Sequence, residues 1–162
     1  EVGASTDTWG TKINNNLDAV DDLLDGTTPV TGIDINSGTA IFSELETTGS
    51  FTEDSEAITS SSEAATLDLS ASTNFTHTLT ENVTYTFSNP AASGKASAFT
   101  LKVTQDSTAR TIAWPSSVNW AAGTAPTISA DSGAIDYFVF ITTDGGTNYY
   151  GFTAGQAMAV PA

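Results

Sequence analysis

From residue 65 onward, apolar side chains recur at every second position, and threonine fills many of the positions between them. A period of two is typical of half-buried β-strands. Asp144-Gly145-Gly146 is a hairpin signal between two such runs. About eight or nine short strands with turns every ~8–12 residues predict a mainly-β domain, an antiparallel, jelly-roll-like β-sandwich. The clearest runs are Phe75, His77 and Leu79; Val83, Tyr85 and Phe87; and Phe99, Leu101 and Val103.

The run from Ala134 to Thr143 differs from its neighbours because it is apolar on both sides. Phe138 and Phe140 share one side, and the other side carries Ile135, Tyr137, Val139 and Ile141. A strand of this kind must be covered on both faces. One side packs in the core, and the other lies under a loop or against a neighbouring subunit. We favour the subunit, and we take Phe138 and Phe140 as a candidate oligomer face.

The apolar period changes to that of a helix near the start of the chain, in residues 8–26. Four apolar residues there are spaced four, three and four apart, which is the a/d rhythm of a coiled coil over about two heptads. A helix this short is marginal alone, so it needs partners, and copies of itself are the simplest. The sequence therefore predicts an N-terminal helix that trimerises or docks through a seam of Trp9, Ile13, Leu17, Val20 and Leu24.

Between these regions the pattern is weak. Residues 27–49 contain short apolar bursts separated by glycines, and residues 50–64 are polar and acidic. We interpret the first stretch as a short β shaft and the second as a linker. The predicted organisation is therefore a helix over residues 1–26, a shaft and linker over 27–64, and a β-sandwich over 65–162.

Charge narrows the range of partners. The 162 residues contain 19 Asp or Glu against four Lys or Arg, for a net charge of −15. Residues 1–70 hold 14 of the acidic residues and one lysine. Four bases cannot form a phosphate-binding face, so nucleic acid is excluded as an expected partner. No apolar run approaches the ~20 residues of a membrane span. The acidic surface indicates either solubility or docking to a basic partner.

The residues that could carry catalysis show no recognisable arrangement. His77, the one histidine, alternates with apolar residues and is better explained as a structural residue. Glycoside hydrolysis needs two carboxylates about 5–9 Å apart. Asp131, Asp136 and Asp144 are the candidates, but their spacing does not indicate convergence. Glu53, Asp54 and Glu56 lack a calcium-loop pattern. We therefore expect no catalytic residue, no metal and no cofactor.

Aromatic residues near the end of the chain have two interpretations. Trp114, Trp120, Tyr149 and Tyr150 include candidates for stacking on sugar rings. The competing interpretation places them in the core or at a subunit interface, because Trp114 alternates with Ile112. If a glycan binds, we expect Trp120 or Tyr149 to contact it.

Several segments resemble one family of proteins. The segment Thr8-Trp9-Gly10-x-x-x-Asn14-x-Asn16-x-x-x-x-Asp21 resembles the N-terminus of tailed-bacteriophage fibre and appendage proteins. The segment GTAIFSELETTGSF, residues 38–51, resembles their shaft segments. The C-terminal segments around Trp114-Pro115 and Trp120, with residues 142–155 (TTDGGTNYYGFTAG), resemble a β-sandwich module of phage virion proteins.

The resemblance implies a non-enzymatic virion protein. It implies a homotrimer attached to another virion protein by its N-terminal end, with a distal β domain and no cofactor. A host-surface glycan is a candidate contact, and the expected location is the virion. The alternative hypothesis is a polysaccharide-binding adhesin module, and the third is a glycan-degrading enzyme.

Overall fold

The computed structural model describes residues 46–158. The predicted N-terminal helix, with its seam of Trp9, Ile13, Leu17, Val20 and Leu24, lies outside the described residues, as does most of the predicted shaft. All of the described strands belong to one compact unit that begins at Gly49.

Nine strands form the described part of the chain, and a single-turn 3-10 helix at Ala121–Gly123 separates β7 from β8. Because no α-helix occurs within residues 46–158, the mainly-β class is confirmed. The strands are β1 (Ser55–Ile58), β2 (Ala64–Asp68), β3 (Asn74–Thr78), β4 (Val83–Ser88), β5 (Ser97–Thr104), β6 (Ile112–Ala113), β7 (Val118–Asn119), β8 (Ile135–Thr142) and β9 (Tyr149–Met158).

The strands form two sheets, a larger mixed sheet and a smaller parallel one. The larger has the order β1-β3-β5-β8-β9-β7, and the smaller has the order β2-β4-β6. The chain alternates between them from β1 to β6, so each strand pairs in parallel with the strand two places earlier. Only β5–β8 and β8–β9 pair antiparallel. The prediction of an antiparallel sheet was therefore wrong for most pairs, because a period of two reveals strands but not which sheet each one joins.

The buried faces of the two sheets share one hydrophobic core. Phe87 of the smaller sheet packs edge-on against Phe99 and Phe140 of the larger, with ring centroids 5.0 and 5.1 Å apart. Edge-to-face aromatic pairs add stability beyond the area they bury. These rings hold the two sheets together at the centre of the described unit.

The candidate oligomer face needs correction. Phe138 and Phe140 are fully buried within the chain, where Trp114 packs against both rings. Their side of β8 faces the core, because the smaller sheet and the 112–120 segment cover it. The side of β8 that remains available to another molecule is the opposite one, which carries Tyr137.

Residues 50–64 contain more structure than the linker interpretation predicted. β1 lies within them and pairs with β3, and Ser61 and Ala64 bridge a two-residue turn that leads to β2. The sequence signal was weak because β1 has four residues and Ile58 is its one large apolar side chain. An edge strand this short gains its order from β3.

The turn before β2 provides a test of local strain. Ser62 and Glu63 have φ values of 56° and 61°, as the two central residues of a type I′ turn require. We expect the double substitution Ser62→Asn, Glu63→Gly to stabilise the fold by about 1 kcal/mol, because Asn and Gly adopt positive φ at lower cost. Urea unfolding measures the change. Glu63→Ala is the control: it removes the charge but keeps the strain, so a gain there would contradict the explanation.

Candidate functional site

Four of the five exposed large apolar residues among residues 46–158 lie on the outward side of β8 and β9. Val139 pairs with Phe152, and Ile141 pairs with Tyr150, so these side chains lie on one side of the sheet. Phe152 is 56% exposed and Tyr150 is 53% exposed. We call this surface the aromatic face, and its members are Ile135, Tyr137, Val139, Ile141, Tyr150, Phe152 and Met158.

The core fixes the outward direction of these residues. Successive side chains of a strand point to opposite sides, so burial of Phe138 and Phe140 turns Tyr137, Val139 and Ile141 outward. On β9, Gly151 faces inward against the Trp120 ring, which a Cβ at this position would approach to 2.7 Å. Tyr150 and Phe152, on either side of Gly151, therefore point outward.

Carboxylates are missing from the outward strand positions next to the aromatic face. β3 and β5 present Asn74, Thr76, Thr78, Ala98, Thr100, Lys102 and Thr104 there, and Lys102 lies directly opposite Tyr137. The Glu53 carboxylate lies at one corner of this side, where it accepts hydrogen bonds from Asn74 and Thr73. In a chain with 19 acidic residues, the one charge at the outward strand positions of β3, β5, β8 and β9 is thus that of Lys102.

The polar side chains that border the aromatic face form hydrogen bonds with one another. The Thr100 hydroxyl donates to the Asn74 side-chain oxygen at 2.8 Å, and the Asn74 amide donates to Glu53 Oε2 at 2.9 Å. These groups need no partner from outside the chain. The feature of this surface that a partner could cover is therefore its exposed apolar area.

The two residues predicted to contact a glycan lie elsewhere. Tyr149 is 2% exposed, which removes it as a surface contact, and burial followed by the nearby Asp144 charge raises its pKa. Trp120 is partly buried against Trp114 and Phe140, with centroids 5.2 and 5.6 Å away. Both rings support the core interpretation.

The sequence reasoning did not single out Tyr137 or Phe152 as surface residues. The exposed rings of the aromatic face are Tyr137, Tyr150 and Phe152, and only Tyr150 was among the sugar-stacking candidates. The sequence did indicate that Tyr150 and Phe152 share one side of a strand, because they are two residues apart. It did not indicate which side faces outward, because that depends on how the strand packs in the core.

The three candidate catalytic aspartates have structural roles in the described part of the chain. Asp144 organises the β8–β9 turn by accepting hydrogen bonds from Thr142, Asn148 N and Asn148 Nδ2, and the Asn148 bonds lower its pKa most. Asp131 is exposed, and its carbonyl accepts a hydrogen bond in the turn before β8. These contacts hold turns and do not place two carboxylates around a shared ligand.

Asp136 is the buried carboxylate of β8, 2% exposed. It accepts hydrogen bonds from the backbone N–H groups of Ser129 at 2.7 Å and Ala157 at 2.9 Å. Burial alone raises the pKa of Asp136, but these bonds and those from the side chains of Ser129 and Gln156 outweigh it, so the pKa is lowered. The carboxylate therefore ties the 127–129 segment and the irregular end of β9 to β8.

His77 is buried in the core, as the sequence predicted for a structural histidine. Its Nδ1 shares a 2.7 Å hydrogen bond with the Tyr85 hydroxyl, and Nε2 has no partner among residues 46–158. Burial lowers the pKa of His77, with a smaller opposing effect from Glu81. The side chain is therefore held in its neutral form.

Glu53 and Asp54, just before β1, line an open cleft of about 300 Å³ together with the 69–73 loop. Glu53 uses one carboxylate oxygen to accept bonds from Thr73 and Asn74. Residues 46–158 contain no group of three potential metal ligands. In the same part of the chain, no helix has the length and apolarity needed to cross a membrane.

Asp136 provides a test of stability against pH. We expect Asp136→Asn to lower the free energy of unfolding at pH 7 by about 2 kcal/mol, because two buried N–H groups lose an ionised acceptor. A lowered pKa stabilises the fold above the unfolded value, near 4, and that contribution is lost as the pH falls through the folded value. Urea unfolding at pH 7 and pH 3 should therefore show the difference shrinking in acid. Exposed Asp131→Asn is the control, and an equal loss there would contradict the assignment.

His77 provides an independent test because the chain has no other histidine. The folded state resists protonation, while the unfolded state takes up a proton below pH ~6.5. The free energy of unfolding should therefore fall by about 1 kcal/mol from pH 7 to pH 5.5. His77→Gln keeps a polar partner for Tyr85 but cannot titrate, so its stability should be nearly flat over this range. Equal slopes in both proteins would show that His77 is not the group responsible.

Comparison with family models, with curated proteins and with solved structures finds no match to the chain.

Proposed function

We propose that the protein is a non-enzymatic structural component of a bacteriophage virion, a small trimeric fibre or fibre-like appendage. Its N-terminal residues trimerise or dock to another virion protein through the Trp9–Leu24 seam. The strands form a distal, jelly-roll-like sandwich that contacts the host surface. The resemblance of the N-terminal and shaft segments supports the family, and the shared core of two facing sheets supports the sandwich.

The observation that carries the proposal is the aromatic face. An apolar patch of a few hundred Å² on a soluble protein is often functional. Interface cores are enriched in Tyr, Phe and Met and depleted of charge. Tyr137, Tyr150, Phe152 and Met158 have this composition on a chain of net charge −15. Such a surface supports a role in assembly.

One observation favours the adhesin module as the second candidate function. Exposed Tyr137 lies beside the outward threonines Thr100 and Thr104 of β5, and an aromatic ring beside hydroxyl groups suits a saccharide. The glycan-degrading enzyme is the weaker candidate, because Asp136 and Asp144 already accept several hydrogen bonds within the chain.

The proposed assembly has a direct test in solution. Light scattering of the full chain at micromolar concentration should give about 50 kDa, three times the 16.7 kDa of one chain. Cryo-electron microscopy of the parent particle should place the same copy number on a virion. A mass of one chain at these concentrations, or a particle without this density, would contradict the proposal.

A further inference from the structure

We propose that the aromatic face is the contact between copies of this chain and that it lies toward the axis of the trimer. This inference rests on the proposed function, because it assumes that the chain trimerises. It goes further by naming the surface and its occupant. Its exposed rings are Tyr137, Tyr150 and Phe152.

Charge selects a second copy as the occupant. Two copies of a −15 chain repel wherever their carboxylates approach each other. The outward strand positions of β3, β5, β8 and β9 carry no Asp or Glu, so copies meet there at the lowest electrostatic cost. A basic partner would gain more from the carboxylates elsewhere on the chain. Lys102 is the one charge among these positions.

Side-chain chemistry favours protein over saccharide. Phe152, Val139 and Ile141 offer no hydrogen-bond donor or acceptor at the centre of the surface. A saccharide chain laid there would leave hydroxyl groups without partners, which costs free energy. The same apolar side chains of a second copy have no such requirement, so burial stabilises both partners.

The area of this side of the sheet is enough for one of two contacts that together hold a trimer. Tyr137, Tyr150 and Phe152, about half exposed, present roughly 300 Å² of ring surface. β1, β3, β5, β8 and β9 span about 19 Å at ~4.8 Å per strand, and eight-residue β8 spans about 26 Å. The whole side is thus roughly 500 Å², less than the ~800 Å² per partner of a stable dimer. The N-terminal seam of the proposed function supplies the remaining contact.

The test compares one charge placed at two exposed strand positions of the full chain. Phe152→Asp puts a carboxylate at the centre of the aromatic face. Thr86→Asp, at an exposed position of β4 in the smaller sheet, is the matched control. Light scattering over a dilution series should show half-dissociation of Phe152→Asp at a concentration at least 10-fold higher than for the wild type. Thr86→Asp should dissociate like the wild type.

A mixing experiment separates a lost contact from a damaged fold. Phe152→Asp and Phe152→Lys should each associate poorly alone, and their equimolar mixture should recover association, because opposite charges then meet across the contact. Unfolding in urea verifies that both variants fold. Recovery in the mixture supports a contact between copies of this surface.

The outcomes distinguish this inference from the proposed function. If the wild type and Phe152→Asp are equally stable trimers, the surface is wrong and the proposed function stands. If trimers persist in Phe152→Asp while binding to a glycan array is lost, the surface belongs to a saccharide and the inference is overturned. A wild-type chain that stays monomeric would overturn both.

Discussion

The position of Phe138 and Phe140 in the core is the constraint on which the rest of the described structure depends. These two rings lie between the larger sheet and the 112–120 segment, and they contact Trp114, Trp120 and Phe87. Their burial fixes the orientation of β8, and the register with β9 follows from it. Large-to-small substitution of such a buried ring costs several kcal/mol, which shows how strongly this face of β8 is held in the core. The exposed side of β8 is therefore a consequence of packing.

Several features of the fold were predictable from the sequence, because each depends on a local pattern of residues. β4 and β5 alternate cleanly over six and eight residues, and β8 contains a continuous apolar run; each appears where the pattern predicted a strand. His77 was predicted to be structural because its neighbours two residues away are apolar. Asp144-Gly145-Gly146 was predicted to be a turn, and the positive φ of both glycines agrees.

Other features depended on information that a local pattern lacks. The parallel pairing of β1 with β3 and of β2 with β4 reflects which sheet each strand joins, which is a property of the whole chain. The orientation of β8 was assigned the wrong way, because Phe, Ile and Tyr are similarly apolar and only the fit against Trp114 decides between the two sides. Tyr149 and Tyr150 are adjacent and chemically identical, yet one is buried and one exposed.

The central claim is that an uncharged aromatic surface joins copies of a strongly acidic chain. Hydroxyl-radical footprinting of the full chain, read by mass spectrometry at single side chains, measures this most directly. Oxidation of Tyr150 and Phe152 should be strongly slowed at concentrations where the chain is assembled, relative to a dilute sample. Equal oxidation rates for these two rings in the assembled and dissociated states would contradict the account.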